Sequence, residues 1–466
     1  MLPNEDIIFA PASGNGGAVC IIRISGSGCL ELADKLVRLR RGIVGDTPGF
    51  SLRYGEIPGL DEVLVSIFRA PKSYTGEDMV ELSCHASQYI LSEIMNRLSN
   101  AGARVAEPGE FTRRAFVNGK MDLAQAEAVA DIISSSSSEQ HRLALNQLKG
   151  GFSKELSDIR AQLLELSSLM ELELDFSEEE VEFADRRKLK SLLDASIEHC
   201  RALADSFKLG NAVRNGVPVA IIGAPNSGKS TLLNALLKDD RAIVSDIPGT
   251  TRDTVEETCV LGGILFRFID TAGIRKASDE IEKLGIQRTY KKAAQAEIVL
   301  GLIDIAETLD SNSFAEAARE LAGLVDTERQ NLIILANKVD LSAVNKNVKD
   351  INNFVLPVDL QNANIRLIHL SAKTGQGMEE LVQSLISSTG ISSASGTLVT
   401  NARHAAALSA TAEALLQVRD GMASNLPTDL LAEDLRTALN HLGSITGHIT
   451  SNEVLGEIFS TFCIGK

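Results

Sequence analysis

The segment Gly223-Ala-Pro-Asn-Ser-Gly-Lys-Ser230 matches the pattern G-x-x-x-x-G-K-[ST] in full. It follows an apolar run that predicts a strand, and it precedes a helical stretch at Thr231–Leu237. In this setting the glycines let backbone N–H groups cradle phosphates at a helix N-terminus. We expect Lys229 to reach the β- and γ-phosphates of a nucleotide and Ser230 to bind Mg²⁺. The motif therefore predicts a strand–loop–helix unit of a nucleotide-binding α/β domain.

Two further polar segments follow apolar runs, in the order that a guanine nucleotide site requires. In Asp270-Thr-Ala-Gly273, Asp270 can hold Mg²⁺ through water and the Gly273 N–H can contact the γ-phosphate. In Asn337-Lys-Val-Asp340, the carboxylate can accept hydrogen bonds from the ring N–H and the amino group of guanine. Adenine presents neither donor there, so this segment favours GTP over ATP. Ser371-Ala-Lys373 completes the predicted base pocket.

The region around these motifs alternates strands with helices, which predicts a doubly wound, mostly parallel sheet. The predicted strands are Val217–Gly223, Leu265–Asp270, Ile298–Asp304, Asn331–Asn337 and Ile365–Ser371.

The flanking regions have different patterns, and 466 residues at about 150 per domain suggest roughly three domains. Residues 1–118 read as mixed α and β, with strands at Ala18–Ile24, Val63–Phe68 and Val80–Cys84 and a helix at Ser87–Asn100. Residues 119–210 and 386–466 have helical periodicity, and they are candidates to pack as one domain that residues 211–385 interrupt.

Composition excludes several classes of protein. The chain has 46 Lys+Arg against 62 Asp+Glu, a net charge of −16, which argues against a simple charge-driven nucleic-acid binder. Half of that charge lies in residues 121–210, with 10 basic and 18 acidic side chains. Aromatic residues make up 4% and Trp is absent, so a base-stacking platform is not expected on this chain.

Cellular location follows from the cysteines and the termini. Six scattered cysteines without a C-x-x-C pair argue against disulfides and a zinc ribbon, and they fit a reducing cytoplasm. The sequence has no uncharged apolar run of about 18 residues, so it predicts no membrane span. The acidic N-terminus lacks the basic and then apolar pattern of a signal peptide.

The switch region departs from Ras-like enzymes at the position that orients the attacking water. Ras-like enzymes place Gln directly after D-x-x-G, whereas this chain has Ile274. The carboxylates of Asp279, Glu280 and Glu282 lie just downstream. The sequence supports equally well a water-orienting role for one of them and a merely solvated switch helix. Thr251, in Gly249-Thr-Thr-Arg-Asp253, is the expected second side-chain ligand of Mg²⁺.

These GTPase motifs resemble those of the TrmE-Era-EngA-like superfamily, and the rest of the chain resembles its MnmE (TrmE) family of tRNA modification GTPases. The resemblance runs from about residue 5 to residue 466. Outside the GTPase motifs it is carried by Gly16-Gly-Ala18, Arg23-Ile-Ser-Gly26, Tyr74-Thr-Gly-Glu-Asp78, Pro108-Gly-Glu-Phe-Thr112, Asn118-Gly-Lys-Met-Asp-Leu-Ala-Gln-Ala-Glu127 and the terminal Cys463-Ile-Gly-Lys466.

The resemblance implies a multidomain protein: an α+β N-terminal domain that binds tetrahydrofolate and dimerises, a discontinuous helical domain, and an inserted Ras-like P-loop GTPase domain. The family works with the FAD-binding protein MnmG in a heterotetramer or larger complex that modifies carbon 5 of the wobble uridine of tRNA. A 5-formyl- or methylene-tetrahydrofolate supplies the one-carbon unit. The resemblance implies that FAD is on the partner. On this chain, Ser13-Gly-Asn-Gly-Gly17 precedes a strand and is no dinucleotide fingerprint.

The resemblance also transfers roles to individual residues of the flanks. Arg23, Glu81, Lys120 and Lys466 match folate-contacting positions, although from the sequence alone ordinary surface ion pairs are the favoured interpretation. Cys463 matches a terminal cysteine that is important for modification, and its role as a nucleophile stays open.

In the GTPase domain, the resemblance implies K⁺-dependent dimerisation across the nucleotide sites. Glu282 matches the residue that orients the catalytic water, while Pro248 stands where the family commonly has a small residue. The predicted K⁺ ligands are Asn226, Ser245, Ile247 and Thr250. The predicted GTP-binding residues are Asn226, Ser227, Gly228, Lys229, Ser230, Thr231, Ser245, Asp246, Ile247, Pro248, Gly249, Thr250, Thr251, Asp270, Thr271, Ala272, Gly273, Asn337, Lys338, Asp340, Ser371, Ala372 and Lys373.

Two other functions compete with this one. A ribosome-assembly GTPase of the Era/EngA type would have a KH-like domain or a second GTPase domain, and the sequence shows neither pattern. A folate-dependent one-carbon enzyme with a regulatory GTPase would turn over folate without tRNA.

Overall fold

The computed structural model describes most of the chain, in two compact units. The described residues are 6–13, 17–175, 186–238, 256–269, 294, 296–308, 310–342, 354–361, 364–391, 396–424, 426–449, 451–460, 462, 463 and 465. The first unit comprises Met1–Ile133, Leu145–Cys200 and Ala410–Lys466, and the second comprises Ser134–Ala144 and Arg201–Ser409. The domain boundaries at residues 118, 210 and 385 stay a prediction.

A seven-stranded sheet forms the N-terminal part of the first unit. Its strands are β1 (Ile8–Pro11), β2 (Val19–Ser25), β3 (Arg38–Leu39), β4 (Ser51–Ile57), β5 (Asp61–Phe68), β6 (Met79–His85) and β7 (Arg104–Val105). Their order is β3-β4-β5-β6-β2-β1-β7, and all neighbours are antiparallel except β1 and β7. The three strands predicted in this region are β2, β5 and β6.

One face of this sheet is apolar because its strands alternate buried and more exposed residues. In β5, Val63, Val65 and Ile67 are buried, and they belong to a core that helices α1 (Cys29–Leu36) and α2 (Gln88–Asn100) cover. Arg23 and Glu81 belong to the alternate set of positions on β2 and β6, with buried neighbours on each side in sequence. The alternation therefore places both side chains on the face opposite the apolar core.

Helices complete the first unit. They include α3 (Glu110–Val117), α4 (Leu123–Ser134), α6 (Gly151–Asp175), α14 (Thr428–Thr446) and α15 (Asn452–Ser460). Helix α14 packs on α6, and its buried Leu431, Leu435, Ala438 and Leu442 follow the helical period. Helix α15 packs on α3, so the end of the chain lies beside the N-terminal sheet.

The second unit contains the predicted doubly wound sheet, with one strand more than the sequence predicted. Its strands are β8 (Val217–Gly223), β9 (Glu257–Leu261), β10 (Ile264–Phe268), β11 (Ile298–Asp304), β12 (Asn331–Asn337) and β13 (Ile365–Leu370). The order is β13-β12-β11-β8-β10-β9, and only β9 is antiparallel to its neighbour. The predicted strands are β8, β10, β11, β12 and β13, and β9 was not predicted.

Buried side chains lie on both faces of this sheet, as expected for a doubly wound fold. Among the described residues, the helices that belong to this unit alone are α8 (Phe207–Asn215), α9 (Lys229–Lys238), α10 (Ser311–Ala322), the short α11 (Val339–Ser342) and α12 (Met378–Ser388). Residues of both units belong to α5 (Ser138–Leu148), α7 (Arg186–Asp205) and α13 (Ala402–Ala423). Among the described helices, none combines the length and hydrophobicity that a bilayer span requires.

Candidate functional site

The loop between β8 and α9 has the backbone of a phosphate-binding loop. Gly223, Asn226 and Gly228 all have positive φ, at 148°, 61° and 101°. A Cβ on Gly223 would lie 2.5 Å from the Leu302 carbonyl oxygen, and one on Gly228 would lie 2.3 Å from Asn337 Nδ2. The glycines of the motif are therefore required by backbone conformation and by close packing.

Lys229 closes this loop from its helical side. Its Nζ donates hydrogen bonds to the carbonyl oxygens of Gly223, at 2.9 Å, and Ala224, at 2.6 Å. The ammonium thus lies against the loop, at the N-terminus of the ten-residue helix α9. The lysine charge and the helix dipole together make the loop attractive to phosphate. Ser230 and Thr231 occupy the first turn of the same helix, as predicted.

Asn337 joins three of the predicted motifs. The residue is 2% exposed, and its Nδ2 donates to the carbonyl oxygen of Ser227 at 2.8 Å. Its Oδ1 accepts from the Ala372 N–H at 3.1 Å. A single amide side chain therefore holds the phosphate loop against the segment that follows β13, and both of its polar ends are satisfied.

The remaining base-pocket residues are fixed by neighbouring polar groups. Ser371 Oγ donates to Asp340 Oδ1 at 2.6 Å, which orients the predicted guanine-binding carboxylate. Lys338 has a φ of 72° and forms an ion pair with the buried Asp304 at the end of β11. Lys373 is exposed. No sequence motif predicted a role for Asp304, which was only the last residue of a predicted strand.

Several predicted site residues lie outside the described residues. They are Ser245, Asp246, Ile247, Pro248, Gly249, Thr250, Thr251, Asp270, Thr271, Ala272, Gly273, Glu282 and Lys466. Their roles stay predictions.

In the first unit, two of the predicted folate residues form an ion pair. Arg23 on β2 and Glu81 on β6 stand directly opposite each other. Arg23 Nε and Nη2 lie 2.9 and 2.8 Å from Glu81 Oε1, and the two side chains are 17% and 18% exposed. The sequence alone favoured ordinary ion pairs for these residues, without naming their partners. Because both groups are partly accessible, they can also meet a ligand.

Two aromatic rings flank the guanidinium of Arg23. Its Cζ lies 5.1 Å from the centroid of Tyr74 and 5.6 Å from that of Phe111, which are cation–π distances. The Tyr74 hydroxyl shares a 2.8 Å hydrogen bond with Thr112 Oγ1. Both rings belong to motifs that carried the family resemblance, but the sequence assigned them no role.

Lys120 lies beside the loop that carries Tyr74. Its Nζ donates to the carbonyl oxygen of Pro71 at 2.9 Å. A Cβ on Gly76 would lie 3.3 Å from Lys120 Cγ, so the lysine stem crosses the loop closely. Within the part of the chain that the structure describes, no contact joins Lys120 to Arg23 or Glu81.

The C-terminal segment reaches the same site. The carbonyl oxygen of Cys463 accepts from the Gly109 N–H, and that of Gly465 accepts from Arg23 Nη1, both at 3.4 Å. Gly465 has a φ of 96°, and a Cβ there would lie 2.1 Å from the Pro11 carbonyl oxygen. Phe462 anchors the segment in a small core with Leu123 and Phe459. The structure thus brings Arg23, Glu81 and the terminal cysteine into one region.

Cys463 differs from the other cysteines in exposure. All six are free thiols, and only Cys463 is exposed. Burial raises the pKa of Cys29 and Cys200 to about 12 and that of Cys84 to about 11. Thiolate is the reactive form, so these buried thiols are unsuited to chemistry. Cys463 is the cysteine that reagents and substrates can reach.

The matching family models and similar curated proteins indicate the same family. Residues 123–463 match the family described as the MnmE helical domain, and residues 7–120 match the GTP-binding protein TrmE N-terminus. The tRNA modification GTPase MnmE of Bacteroides fragilis is 47% identical over 471 residues, covering 99% of this chain and 100% of the relative. The protein of the same name from Bacteroides thetaiotaomicron is 46% identical over 474 residues, with the same coverage. Among solved structures, the G domain of the T. maritima FeoB iron transporter is 23% identical and covers 37% of this chain and 98% of its own, with a TM-score of 0.25.

Proposed function

The chain belongs to the MnmE family of tRNA modification GTPases, and we propose that it is the GTP-hydrolysing component of the complex that modifies tRNA wobble uridine U34. The modification is a 5-carboxymethylaminomethyl or aminomethyl group. The carbon comes from 5-formyl- or methylene-tetrahydrofolate bound to this chain, and FAD resides on the MnmG partner. The chain works in the cytoplasm as a homodimer, within a heterotetramer or larger complex with MnmG.

The observation that carries this proposal is the position of the C-terminal segment. Exposed Cys463 follows the anchoring Phe462, and Gly465 is bonded to Arg23, which is paired with Glu81. A GTPase that acted only as a binding switch would have no need for an exposed thiol on a segment that is bonded to a cation–carboxylate pair. A ribosome-assembly role therefore gains no support from this arrangement.

We call Arg23, Glu81, Tyr74 and Phe111 the Arg23 site. Its chemistry is suited to a folate. A folate carries carboxylates at its glutamate end and a pterin ring with an amino group at the other. Glu81 can accept hydrogen bonds from the amino edge of the pterin, and Arg23, which lies 2.8 Å from Glu81, meets the same end of the ligand. Tyr74 and Phe111 supply aromatic surface beside them. Lys120 lies next to the Tyr74 loop and adds a second cation, and Lys466 is proposed as a third.

GTP and Mg²⁺ are proposed to bind at the loop between β8 and α9. On binding, Lys229 would exchange the carbonyl oxygens of Gly223 and Ala224 for phosphate oxygens, which are stronger partners for an ammonium. Ser230 and Thr251 would supply hydroxyl ligands to Mg²⁺, with Asp270 acting through water. Asp340, held by Ser371, would accept the guanine donors.

For hydrolysis, we assign the orientation of the attacking water to Glu282. A K⁺ ion stabilises the charge that develops between the β- and γ-phosphates. Its ligands are Asn226, through its side chain, and backbone oxygens of Ser245, Ile247 and Thr250. Amide and carbonyl oxygens suit a large, weakly hydrated cation. Asn226 itself lies in the phosphate loop, with a left-handed backbone at a φ of 61°.

The test of the function is mass spectrometry of tRNA nucleosides from cells with and without this chain. We expect the 5-substituted wobble uridine to disappear when the chain is deleted and to return with the wild-type gene. An unchanged nucleoside profile after deletion would favour the binding-switch alternative.

A further inference from the structure

The buried Arg114 lies at the centre of a set of ion pairs that joins three segments of the first unit. Its side chain is 5% exposed. Nη2 donates to Asp6 Oδ1 at 2.7 Å and to Glu110 Oε1 at 3.3 Å, and Nη1 lies 3.3 Å from both oxygens of Glu77. We call Arg114 and these three carboxylates the Arg114 cluster. It ties helix α3 to the segment before β1 and to the loop before β6.

A pair of buried hydroxyls extends the cluster into β2. Ser25 Oγ lies 2.8 Å from Glu77 Oε2 and 2.7 Å from Thr75 Oγ1, and Ser25 and Thr75 are both fully buried. An ionised carboxylate can only accept, so Ser25 donates to Glu77 and must accept from Thr75. The Glu77 N–H in turn lies 3.3 Å from Thr75 Oγ1. The Thr75 hydroxyl therefore donates to Ser25, and the Ser25 hydroxyl donates to Glu77.

Glu110 forms the other end of the cluster. Its fully buried carboxylate accepts from Arg104 at 2.7 and 3.0 Å and from the Glu107 N–H at 2.8 Å. Burial by itself would raise the pKa of Glu110, but the bonds from Arg104 and Glu107 and the positive charge of Arg114 lower it below its ordinary value. Glu110 is thus held as an anion. Buried ion pairs of this kind add little net stability compared with apolar packing, so a role in positioning accounts better for their presence.

The cluster is adjacent in sequence to Arg23, Tyr74 and Phe111, three residues of the Arg23 site. Thr75 directly follows Tyr74, and Glu110 directly precedes Phe111. Ser25 follows Arg23 by two residues on β2. The two rings lie 5.1 and 5.6 Å from the Arg23 guanidinium. Displacement of either segment would therefore move a ring away from Arg23.

We propose that Thr75, Glu77 and Arg114 are positioning residues for the Arg23 site. They hold the rings of Tyr74 and Phe111 against the guanidinium, so that its remaining N–H groups face the bound ligand. This inference rests on the proposed function, in which the ligand is a folate. It concerns residues that do not contact the ligand themselves.

The test compares matched variants of the full-length protein. Thr75→Val removes the hydroxyl at nearly constant volume, while Thr75→Ser keeps it. Glu77→Gln removes a charge from the cluster, and Glu93→Gln removes one from an i,i+4 pair with Arg97 on α2. Isothermal titration calorimetry measures the affinity of each variant for 5-formyltetrahydrofolate, and GTP hydrolysis reports whether the second unit is intact.

We expect Thr75→Val and Glu77→Gln to lower folate affinity about tenfold, as for loss of one buried hydrogen bond. Thr75→Ser and Glu93→Gln should bind within about twofold of the wild type, and GTP hydrolysis should be unchanged in all four. Wild-type affinity in both Thr75→Val and Glu77→Gln would overturn the inference while leaving the folate site standing. A wild-type protein that binds no folate would overturn the folate assignment, and the inference with it.

Discussion

Arg23 Nη1 donates a hydrogen bond to the carbonyl oxygen of Gly465, at 3.4 Å, across 442 positions of the chain. The same guanidinium is paired with Glu81 and flanked by Tyr74 and Phe111. The end of the chain is therefore bonded directly to the cation that we assign to folate binding. Exposed Cys463 lies two residues before that contact.

Gly465→Ala should detach the C-terminal segment from this site. The added Cβ would lie 2.1 Å from the Pro11 carbonyl oxygen, and the φ of 96° disfavours any side chain. We expect wobble-uridine modification to fall at least about tenfold, while GTP hydrolysis stays near the wild-type rate. The control is Gly456→Ala in α15, where a Cβ meets nothing within 4 Å. Equal modification by the two variants would show that the contact is dispensable.

Asn337→Ala should weaken GTP binding. It removes the bonds to Ser227 and Ala372 that hold the phosphate loop against the base pocket. Loss of a buried, fully bonded amide costs about 1–3 kcal/mol, which corresponds to about tenfold or more in affinity for a fluorescent GTP analogue. Asn331→Ala, at the other end of β12, serves as the control because its amide bonds to Ser388 instead. Unchanged affinity in Asn337→Ala would contradict the proposed coupling.

The K⁺ site is tested by exchanging cations. At equal ionic strength, we expect K⁺ to raise the rate of GTP hydrolysis at least about tenfold over Na⁺, since the ion stabilises charge in the transition state. Because proline restricts backbone φ, we expect Pro248 to limit how the proposed K⁺ ligands arrange, which makes the size of the effect informative. Equal rates in the two salts would remove the K⁺ assignment.

The Arg114 cluster predicts a loss of stability in acid. The pKa values of Asp6 and Glu110 are lowered in the folded chain, mainly by opposing arginines that outweigh burial. Their stabilising contribution is present above the ordinary pKa values of the unfolded chain, 3.8 and 4.5, and is lost as pH falls through the lower folded values.

Calorimetric unfolding between about pH 5 and pH 3 checks this. Glu110→Gln should lower stability at pH 7 by about 3 kcal/mol and flatten the acid decline, because one titrating group is removed. Glu93→Gln should keep the wild-type profile. If the stability of Glu110→Gln falls in acid as steeply as that of the wild type, other carboxylates cause the acid sensitivity.

Local motifs allowed much of the GTPase fold to be predicted, since a glycine-rich loop, a preceding strand and a following helix are neighbours in sequence. The five apolar strands were predicted for the same reason. Strand β9 was missed because its Glu257–Leu261 is short and starts with polar residues. The Asn337–Ser227 bond was also missed because it joins positions 110 residues apart, which no local pattern specifies.

The Arg23 site was predicted less completely. The resemblance supplied Arg23, Glu81 and Cys463, but strand register decides that Arg23 faces Glu81. Tyr74 comes to Arg23 from a loop and Phe111 from the first turn of α3, and aromatic residues by themselves do not indicate a polar site. Long-range packing and register account for what the sequence could not show.

The central claim is tested most directly by following the carbon from folate to tRNA. Purified chain, its FAD-binding partner, GTP, Mg²⁺, K⁺, undermodified tRNA, ¹³C-labelled methylene-tetrahydrofolate and an amine donor (glycine or ammonium) are combined, and the nucleosides are analysed by mass spectrometry. We predict that label appears in the 5-substituent of U34 with the wild-type chain and is absent with Cys463→Ser, which should still hydrolyse GTP. Modified U34 without label would contradict the folate route, and full labelling by Cys463→Ser would contradict the role of the terminal thiol.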